Sequence, residues 1–139
     1  MDIPVKGQLS ALPLLKHWYI ACLSDELAGA TPLAVTVFDT PLVLFRDAAG
    51  APAAMLDRCP HRNVPLSDGT VEGGELVCAY HGWQFNSAGE RTRVPGLVVQ
   101  SRHDCGLKTY HCLEQDGYIF VCPSAGFRPP RGPLRLPEV

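Results

Sequence analysis

The sequence has no excess of positive charge and no long apolar run. Lys and Arg number 12 against 14 Asp and Glu in 139 residues, a formal net charge of -2. Proteins that bind nucleic acid neutralise phosphates with clustered basic residues, so this balance argues against a nucleic-acid partner. The longest uncharged apolar run, Leu27 to Phe38, contains Gly29 and Pro32. It falls short of the ~20 residues that a membrane-spanning helix requires, so no membrane partner is expected.

The N-terminal stretch lacks the features of a secretory signal. Asp2 and Lys6 stand where a signal peptide has its apolar segment, and Lys16 interrupts the next apolar stretch. This pattern predicts a cytoplasmic protein. Cysteines in a reducing compartment are metal ligands or small buried hydrophobic residues more often than disulfides. We expect one of these two roles for each of the six cysteines, which are Cys22, Cys59, Cys78, Cys105, Cys112 and Cys122.

Helix signals are scarce, and short runs of strand-forming residues recur instead between Gly, Pro, Asp and Asn. Thirteen Gly and thirteen Pro fit tight strand connections. One short helical turn is predicted at 24–27, with Ser24 as its N-cap. The length fits a single domain, and the pattern predicts an all-β fold. The predicted strands are 17–23, 33–38, 41–46, 52–57, 75–80, 107–115 and 118–122.

The clearest local prediction is a hairpin around Asp116-Gly117. A two-residue turn at this dipeptide pairs Gln115 with Tyr118 and places Cys112 opposite Val121. Cys122 then faces His111. Because neighbouring residues of a strand point to opposite faces, Cys112 and Cys122 lie on different sides of the sheet and are expected to be free, buried thiols.

Two mixed Cys/His pairs form the strongest chemical signal. Cys59 and His61 are two positions apart, Cys78 and His81 are three apart, and sixteen residues separate the pairs. Thiolate and imidazole are ligands for zinc or for an iron-sulfur cluster. A structural zinc site usually has its cysteines together on one knuckle, whereas here each loop supplies one of each. If both cysteines bind one iron and both histidines a second, the set is that of a Rieske [2Fe-2S] centre.

The segments "CPHR" and "CAYHGWQF" resemble the N-terminal Rieske domain of the Rieske non-haem iron oxygenases, the aromatic-ring-hydroxylating and O-demethylating family. "HWYIACLSDEL", "PLVLFRDAAG", "RVPG" and "EQDGYIFV" extend the resemblance to about Ser124. It implies a β-sandwich with a small inserted cluster-binding lobe. It also implies that Cys59 and Cys78 bind the inner iron and that His61 and His81 bind the outer one.

The resemblance divides the chain into a Rieske domain, 1–124, and a Pro-rich tail or linker, 125–139. Within the domain, the cluster loops are 59–66 and 78–86. Gly82 is expected to let the backbone pass close to the sulfides, and 94–96 to form a third loop that shields the cluster from water.

The remaining histidines, His17, His103 and His111, form no triplet of two histidines and a carboxylate at helical spacing. Oxygenases of this family activate oxygen at such a mononuclear iron site on a separate domain. We therefore expect an electron-transfer component that is not an oxygenase by itself. It would relay single electrons from a reductase to an oxygenase centre on another domain or subunit. The alternatives are an N-terminal fragment of a complete Rieske oxygenase and a structural zinc-binding module.

Overall fold

The structure is a computed structural model that describes residues 15–28, 31–60, 64–79, 82–96 and 107–133, together with the backbone of 103–104. Nearly all of the regular structure is β. Two short 3-10 helices, Ser24–Glu26 and Leu66–Asp68, are the helical elements of the described part. The strands are β1 Tyr19–Leu23, β2 Leu33–Val37, β3 Thr40–Arg46, β4 Pro52–Leu56, β5 Thr70–Glu72, β6 Glu75–Val77, β7 Gln84–Phe85, β8 Glu90–Arg93, β9 His103–Asp104, β10 Thr109–Tyr110, β11 Cys112–Gln115 and β12 Tyr118–Val121.

The strands form three antiparallel sheets. The orders are β1-β12-β11, β10-β4-β3-β2 and β5-β6-β7-β8-β9. All five strands of the third sheet lie in sequence between β4 and β10, which pair with each other in the second sheet. The third sheet is therefore an inserted lobe, and the predicted all-β sandwich with a small inserted lobe is confirmed.

The four-stranded sheet is the middle layer, and its strands β3 and β4 are buried on both faces. Along β3, Leu42 and Leu44 pack on one side, whereas Val43 and Phe45 pack on the other. A strand covered on both faces needs a continuous apolar run, which is what "PLVLF" provides. The sandwich core contains Cys22, Leu27, Leu42, Leu44, Ala54, Tyr110, Ile119 and Val121. The lobe core contains Val43, Phe45, Ala53, Met55, Cys59, Leu66, Val71, Leu76, Cys78, Phe85 and Leu107.

Two sequence-based strand assignments need correction. The run 107–115 is not one strand, because it breaks at His111: β10 belongs to the four-stranded sheet and β11 to the three-stranded one. The run 75–80 ends as a strand at Val77. Strands β5, β7, β8 and β9 were not predicted, since they are short or polar and are recognisable mainly from their pairing.

The first helical turn is present, but Ser24 is not its N-cap. The N-cap is Leu23, and the carboxylate of Glu26 accepts a hydrogen bond from the Leu23 backbone N–H at 2.9 Å. A glutamate at the third helical position that reaches back to the N-cap is one half of a capping box. The side chain of Glu26, the last residue of the turn, therefore stabilises the start of the turn.

The hairpin prediction is confirmed in register and in turn type. Gln115 pairs with Tyr118 and Cys112 with Val121. Asp116 and Gly117 have φ values of 55° and 83°, as a two-residue hairpin turn requires. Cys112 packs against the sandwich core, whereas the Cys122 Sγ lies 3.2 Å from the carbonyl oxygen of Leu15. Both are free cysteines, as predicted, although Cys112 is only partly buried.

The Pro-rich C-terminal segment returns to the start of β1. Trp18 Nε1 donates a hydrogen bond to the carbonyl oxygen of Arg131 at 2.7 Å. The guanidinium of Arg128 lies 5.7 Å from the centroid of the Trp18 ring. At the opposite edge of the three-stranded sheet, on β11, Gln115 Nε2 donates a hydrogen bond to the carbonyl oxygen of Pro133 at 3.2 Å. The described part of this segment therefore lies against the domain as a strap.

Arg46 joins three segments at the end of β3. Its Nε donates to the carbonyl oxygen of Leu27 at 2.7 Å, and its Nη atoms donate to those of Gly50 at 2.9 Å and Ser24 at 3.2 Å. The same Nη atoms form a bidentate pair with Glu114, with both distances at 2.9 Å. The hydrogen bonds from Arg46 lower the pKa of Glu114 to about 2. One side chain therefore links the first helical turn, the β3–β4 turn and β11.

Replacing Arg46 with Met is expected to lower the free energy of unfolding by about 2 kcal/mol at pH 7, because three carbonyl groups lose a charged donor. The ion pair adds a part that depends on pH. Since the pKa of Glu114 falls from its usual 4.5 to about 2 in the folded state, this part is complete above pH 4.5 and disappears towards pH 2. Urea denaturation should show a stability difference between wild type and Glu114→Gln that shrinks over that range. A difference that stays constant down to pH 2.5 would contradict the assignment.

Candidate metal centre

Cys59 lies in the loop that leaves the middle sheet after β4. Its side chain is 0% exposed and belongs to the lobe core. The backbone N–H of Cys59 donates to the carbonyl oxygen of Val64, five positions later, at 2.7 Å. Before the cysteine, the N–H of Asp57 donates to the carbonyl oxygen of Pro41 at 2.9 Å. The loop is thus attached to the sheet and closed on itself around the first Cys/His pair.

Cys78 directly follows β6 and opens the loop that leads to β7. It is 1% exposed and lies in the same core as Cys59. Its backbone N–H donates to the carbonyl oxygen of Trp83, again five positions later and again at 2.7 Å. Gly82 N–H donates back to the carbonyl oxygen of Cys78 at 3.1 Å. Both loops therefore have the same closure, with a buried cysteine as its first residue.

The two histidines of the motif, His61 and His81, lie outside the described residues. Sequence position places each of them within its closed loop, since His61 lies between Cys59 and Val64 and His81 between Cys78 and Trp83. Over the described ranges, no three His, Cys, Asp or Glu side chains come together as a possible metal site. The structure thus brings the two cysteines into one core. The assignment of all four residues as ligands remains a prediction.

A third segment lies against the second loop, as expected for 94–96. Gly82 has a φ of +70°, a conformation that favours glycine. A β-carbon on Gly82 would lie 3.3 Å from Cγ of Pro95, so the two segments are in close contact. Gly96, with a φ of +91°, then turns the chain. The position of Pro95 beside Gly82 agrees with a shielding role.

Two aromatic residues lie in the C-terminal half of the second loop, 78–86. Phe85 is fully buried in the lobe core, and Trp83 packs against that core while remaining partly exposed. The guanidinium of Arg91 lies 5.3 Å from the centroid of the Trp83 ring, within the range of a cation–π contact. Both rings therefore pack with the lobe core, and the guanidinium of Arg91 on β8 lies over the ring of Trp83.

The other titratable candidates lie elsewhere. His17 and His111 are exposed, and His103 belongs to β9 at the edge of the inserted sheet. Burial raises the pKa of Cys112 to about 12, which keeps that thiol protonated at neutral pH. Cys112 therefore has the character of a small, partly buried hydrophobic residue.

Two supporting residues of the first loop were not identified from the sequence. Ser67 donates two hydrogen bonds to the carboxylate of Asp57, and Gly69 approaches the backbone of Val77 closely. No periodicity or motif marks these positions, because each depends on a contact between segments. The only available signal was an acidic residue at the end of the predicted strand 52–57.

Comparison with known protein families now decides between zinc and iron-sulfur. The family model of the Rieske [2Fe-2S] domain matches residues 17–111. The chain belongs to the Rieske [2Fe-2S] domain family. The cofactor of this family is a [2Fe-2S] cluster, which argues against the zinc-binding alternative. The described residues fit that cofactor, since they provide two buried thiols on two rigid loops that enter one core.

Several relatives of this Rieske domain are oxygenases or oxygenase components. The oxygenase component of dicamba O-demethylase from Stenotrophomonas maltophilia is 40% identical over 106 residues, covering 76% of this chain and 31% of that protein. The oxygenase subunit of vanillate O-demethylase from Pseudomonas sp. (strain HR199 / DSM 7063) is 41% identical over 106 residues, covering 76% and 29%. Chlorophyllide a oxygenase from Chlamydomonas reinhardtii is 36% identical over 135 residues, covering 91% and 21%.

Solved structures show the same relationship. Dicamba monooxygenase bound to dicamba superposes with a TM-score of 0.75 at 36% identity, covering 90% of this chain and 36% of that chain. The chain thus spans between a fifth and about a third of the length of the relatives it matches. Over the described residues, no helix is long and apolar enough to cross a membrane.

Proposed function

We propose that the chain binds its [2Fe-2S] cluster through Cys59, His61, Cys78 and His81. In this proposal it relays single electrons from a reductase to a mononuclear-iron oxygenase centre on another domain or subunit. The observation that carries the proposal is the pair of matched loops, each beginning with a buried cysteine whose N–H closes the loop at 2.7 Å. When bound, the cluster supplies a one-electron redox centre.

The protein residues have distinct tasks in this proposal. The lobe core around Cys59 and Cys78 excludes water from the inner side of the site, which affects the reduction potential. The closed loops fix the backbone of each ligand, so little reorganisation accompanies a change of charge. His61 and His81 would complete the ligand set, and their imidazoles would be the groups through which electrons enter and leave.

The histidine ligation distinguishes this site from an all-cysteine cluster. Protein purified without air should be brown and contain acid-labile sulfide. After reduction with dithionite it should give an EPR signal whose average g lies below the free-electron value. A colourless protein with zinc and no labile sulfide would overturn the cluster. A brown protein with the spectrum of an all-cysteine cluster would overturn the histidine ligands alone.

A second candidate is that this domain forms the N-terminal part of a complete oxygenase. The coverage of 31% of dicamba O-demethylase and 36% of dicamba monooxygenase supports it. We further propose that residues 125–139 act as the connection to the next domain, supported by the strap contacts at Trp18 and Gln115. Mass spectrometry of the native protein would decide between the two candidates. The free cysteines of the sandwich support a reducing location such as the cytoplasm.

A further inference from the structure

Asp57 stands apart from every other described acidic residue. Its side chain is 9% exposed, and it is the one polar or charged residue in the buried class over the described ranges. Its Oδ1 accepts the backbone N–H of Ser67 at 2.7 Å, and its Oδ2 accepts the Ser67 hydroxyl at 2.6 Å. One residue thus satisfies both carboxylate oxygens.

These two hydrogen bonds enclose the first cluster loop. They join positions ten residues apart, and both proposed ligands of this loop, Cys59 and His61, lie between them. The Cys59-to-Val64 bond forms a smaller closure inside the larger one. The loop is therefore held by two closures: the inner one joins Cys59 to Val64, and the outer one joins Asp57 to Ser67.

Each end of the larger closure is attached to a rigid element. Asp57 follows β4, and its N–H donates to the carbonyl oxygen of Pro41 on β3 at 2.9 Å. Ser67 is the middle residue of the 3-10 helix whose first residue, Leu66, is completely buried in the lobe core. The carboxylate consequently connects the middle sheet to the inserted lobe.

Two hydrogen bonds to a carboxylate attach the loop more strongly than an ordinary turn requires. Hydrogen bonds to an ionised carboxylate are about twice as strong as neutral ones. Burying that charge also has a desolvation penalty, which only good geometry offsets. A neutral residue would suffice to close an ordinary turn. The arrangement points to a loop whose position matters beyond stability.

We infer that Asp57 is a positioning residue: it is not one of the proposed ligands and acts on the cluster site through the loop that carries them. Its carboxylate holds loop 59–66 so that Cys59 and His61 keep the geometry that the cluster needs. The inference rests on the proposed function. Loss of a residue that orients metal ligands typically weakens metal binding by roughly 10-fold to 100-fold.

The test measures the rate at which an iron chelator removes the cluster under anaerobic conditions. All variants are compared at the same initial content of labile sulfide. Asp57→Ala should speed the loss by roughly tenfold or more. Ser67→Ala, which removes one of the two bonds, should give a smaller acceleration. Asp68→Ala, an exposed carboxylate on the same 3-10 helix, should match wild type. If Asp57→Ala cannot be loaded, Asp57→Asn and Ser67→Ala decide the question.

To separate a positioning role from a purely structural one, Asp57→Ala is compared with Arg46→Met. The Arg46→Met variant is expected to destabilise the sandwich without changing the first cluster loop. Asp57→Ala should also alter the g values of the reduced cluster, whereas Arg46→Met should leave them unchanged. Equal rates of cluster loss and unchanged g values in both variants would overturn the positioning role. Wild-type protein without a Rieske spectrum would instead mean that the proposed function has failed.

Discussion

Cys59→Ala and Cys78→Ala are each expected to abolish the [2Fe-2S] cluster. Both thiols are buried in the lobe core, where no replacement ligand from solvent is available. If Cys59 and Cys78 are two of four protein ligands, removal of either thiol would leave the cluster without a ligand that the buried core can replace. Labile sulfide and the EPR signal of the reduced protein should both fall to background.

The matched controls are Cys22→Ala and Cys122→Ala. Both cysteines are also buried, and Cys22 packs in the sandwich core on the other face of the middle sheet. Burial raises the pKa of both thiols, which favours the protonated form. Neither cysteine belongs to the lobe core that contains Cys59 and Cys78. These variants should keep wild-type sulfide content. Full sulfide in Cys78→Ala, or its loss in Cys122→Ala, would contradict the ligand assignment.

The elements that the sequence predicted well are those specified by local chemistry. The hairpin at Asp116-Gly117 was correct to the residue because the dipeptide adopts positive φ readily. The doubly buried β3 was visible as a continuous apolar run. The hairpin between β2 and β3 was less predictable, since its turn residues Phe38 and Asp39 both have positive φ, at 49° and 62°. A phenylalanine in that conformation gives no turn signal.

The inserted lobe was expected only from the family resemblance. Its strands are two to four residues long, too short for a hydrophobic period, and pairing with neighbours determines them. The break at His111 has a similar cause, because the chain changes sheets there without a glycine or proline. The local sequence around His111 contains no signal that the chain passes from one sheet to another.

For the site, the sequence suggested candidate ligands but not the residues that hold their loops. The spacing of Cys59 and Cys78 identified both thiols that the structure buries together. The Asp57–Ser67 contact joins residues whose relation appears only after the loop has folded. Residues that orient ligands are therefore harder to recognise than the ligands, although they constrain the site as strongly.

Gly69→Ala is expected to push apart the two cluster loops and so to disrupt the candidate metal site. Gly69 directly follows the 3-10 helix at the end of the first loop, with an ordinary φ of -88°. A β-carbon there would overlap the carbonyl oxygen of Val77 and lie 3.2 Å from the backbone N of Ala79. These atoms flank Cys78 on both sides. Because they are backbone atoms, no change of rotamer can relieve the clash, and the two loops must move apart.

Insertion of a methyl group into a packed interior costs about 1–3 kcal/mol, and we expect the upper end here. Gly132→Ala is the matched control, since a β-carbon at Gly132 has no heavy atom within 4 Å and its φ needs no glycine. Urea unfolding and labile-sulfide content should both drop in Gly69→Ala and stay at wild-type values in Gly132→Ala. If Gly69→Ala loses stability but keeps its full cluster content, the loops can separate without losing the cofactor. That result would show that the close approach of Gly69 to Val77 serves folding and not the metal centre.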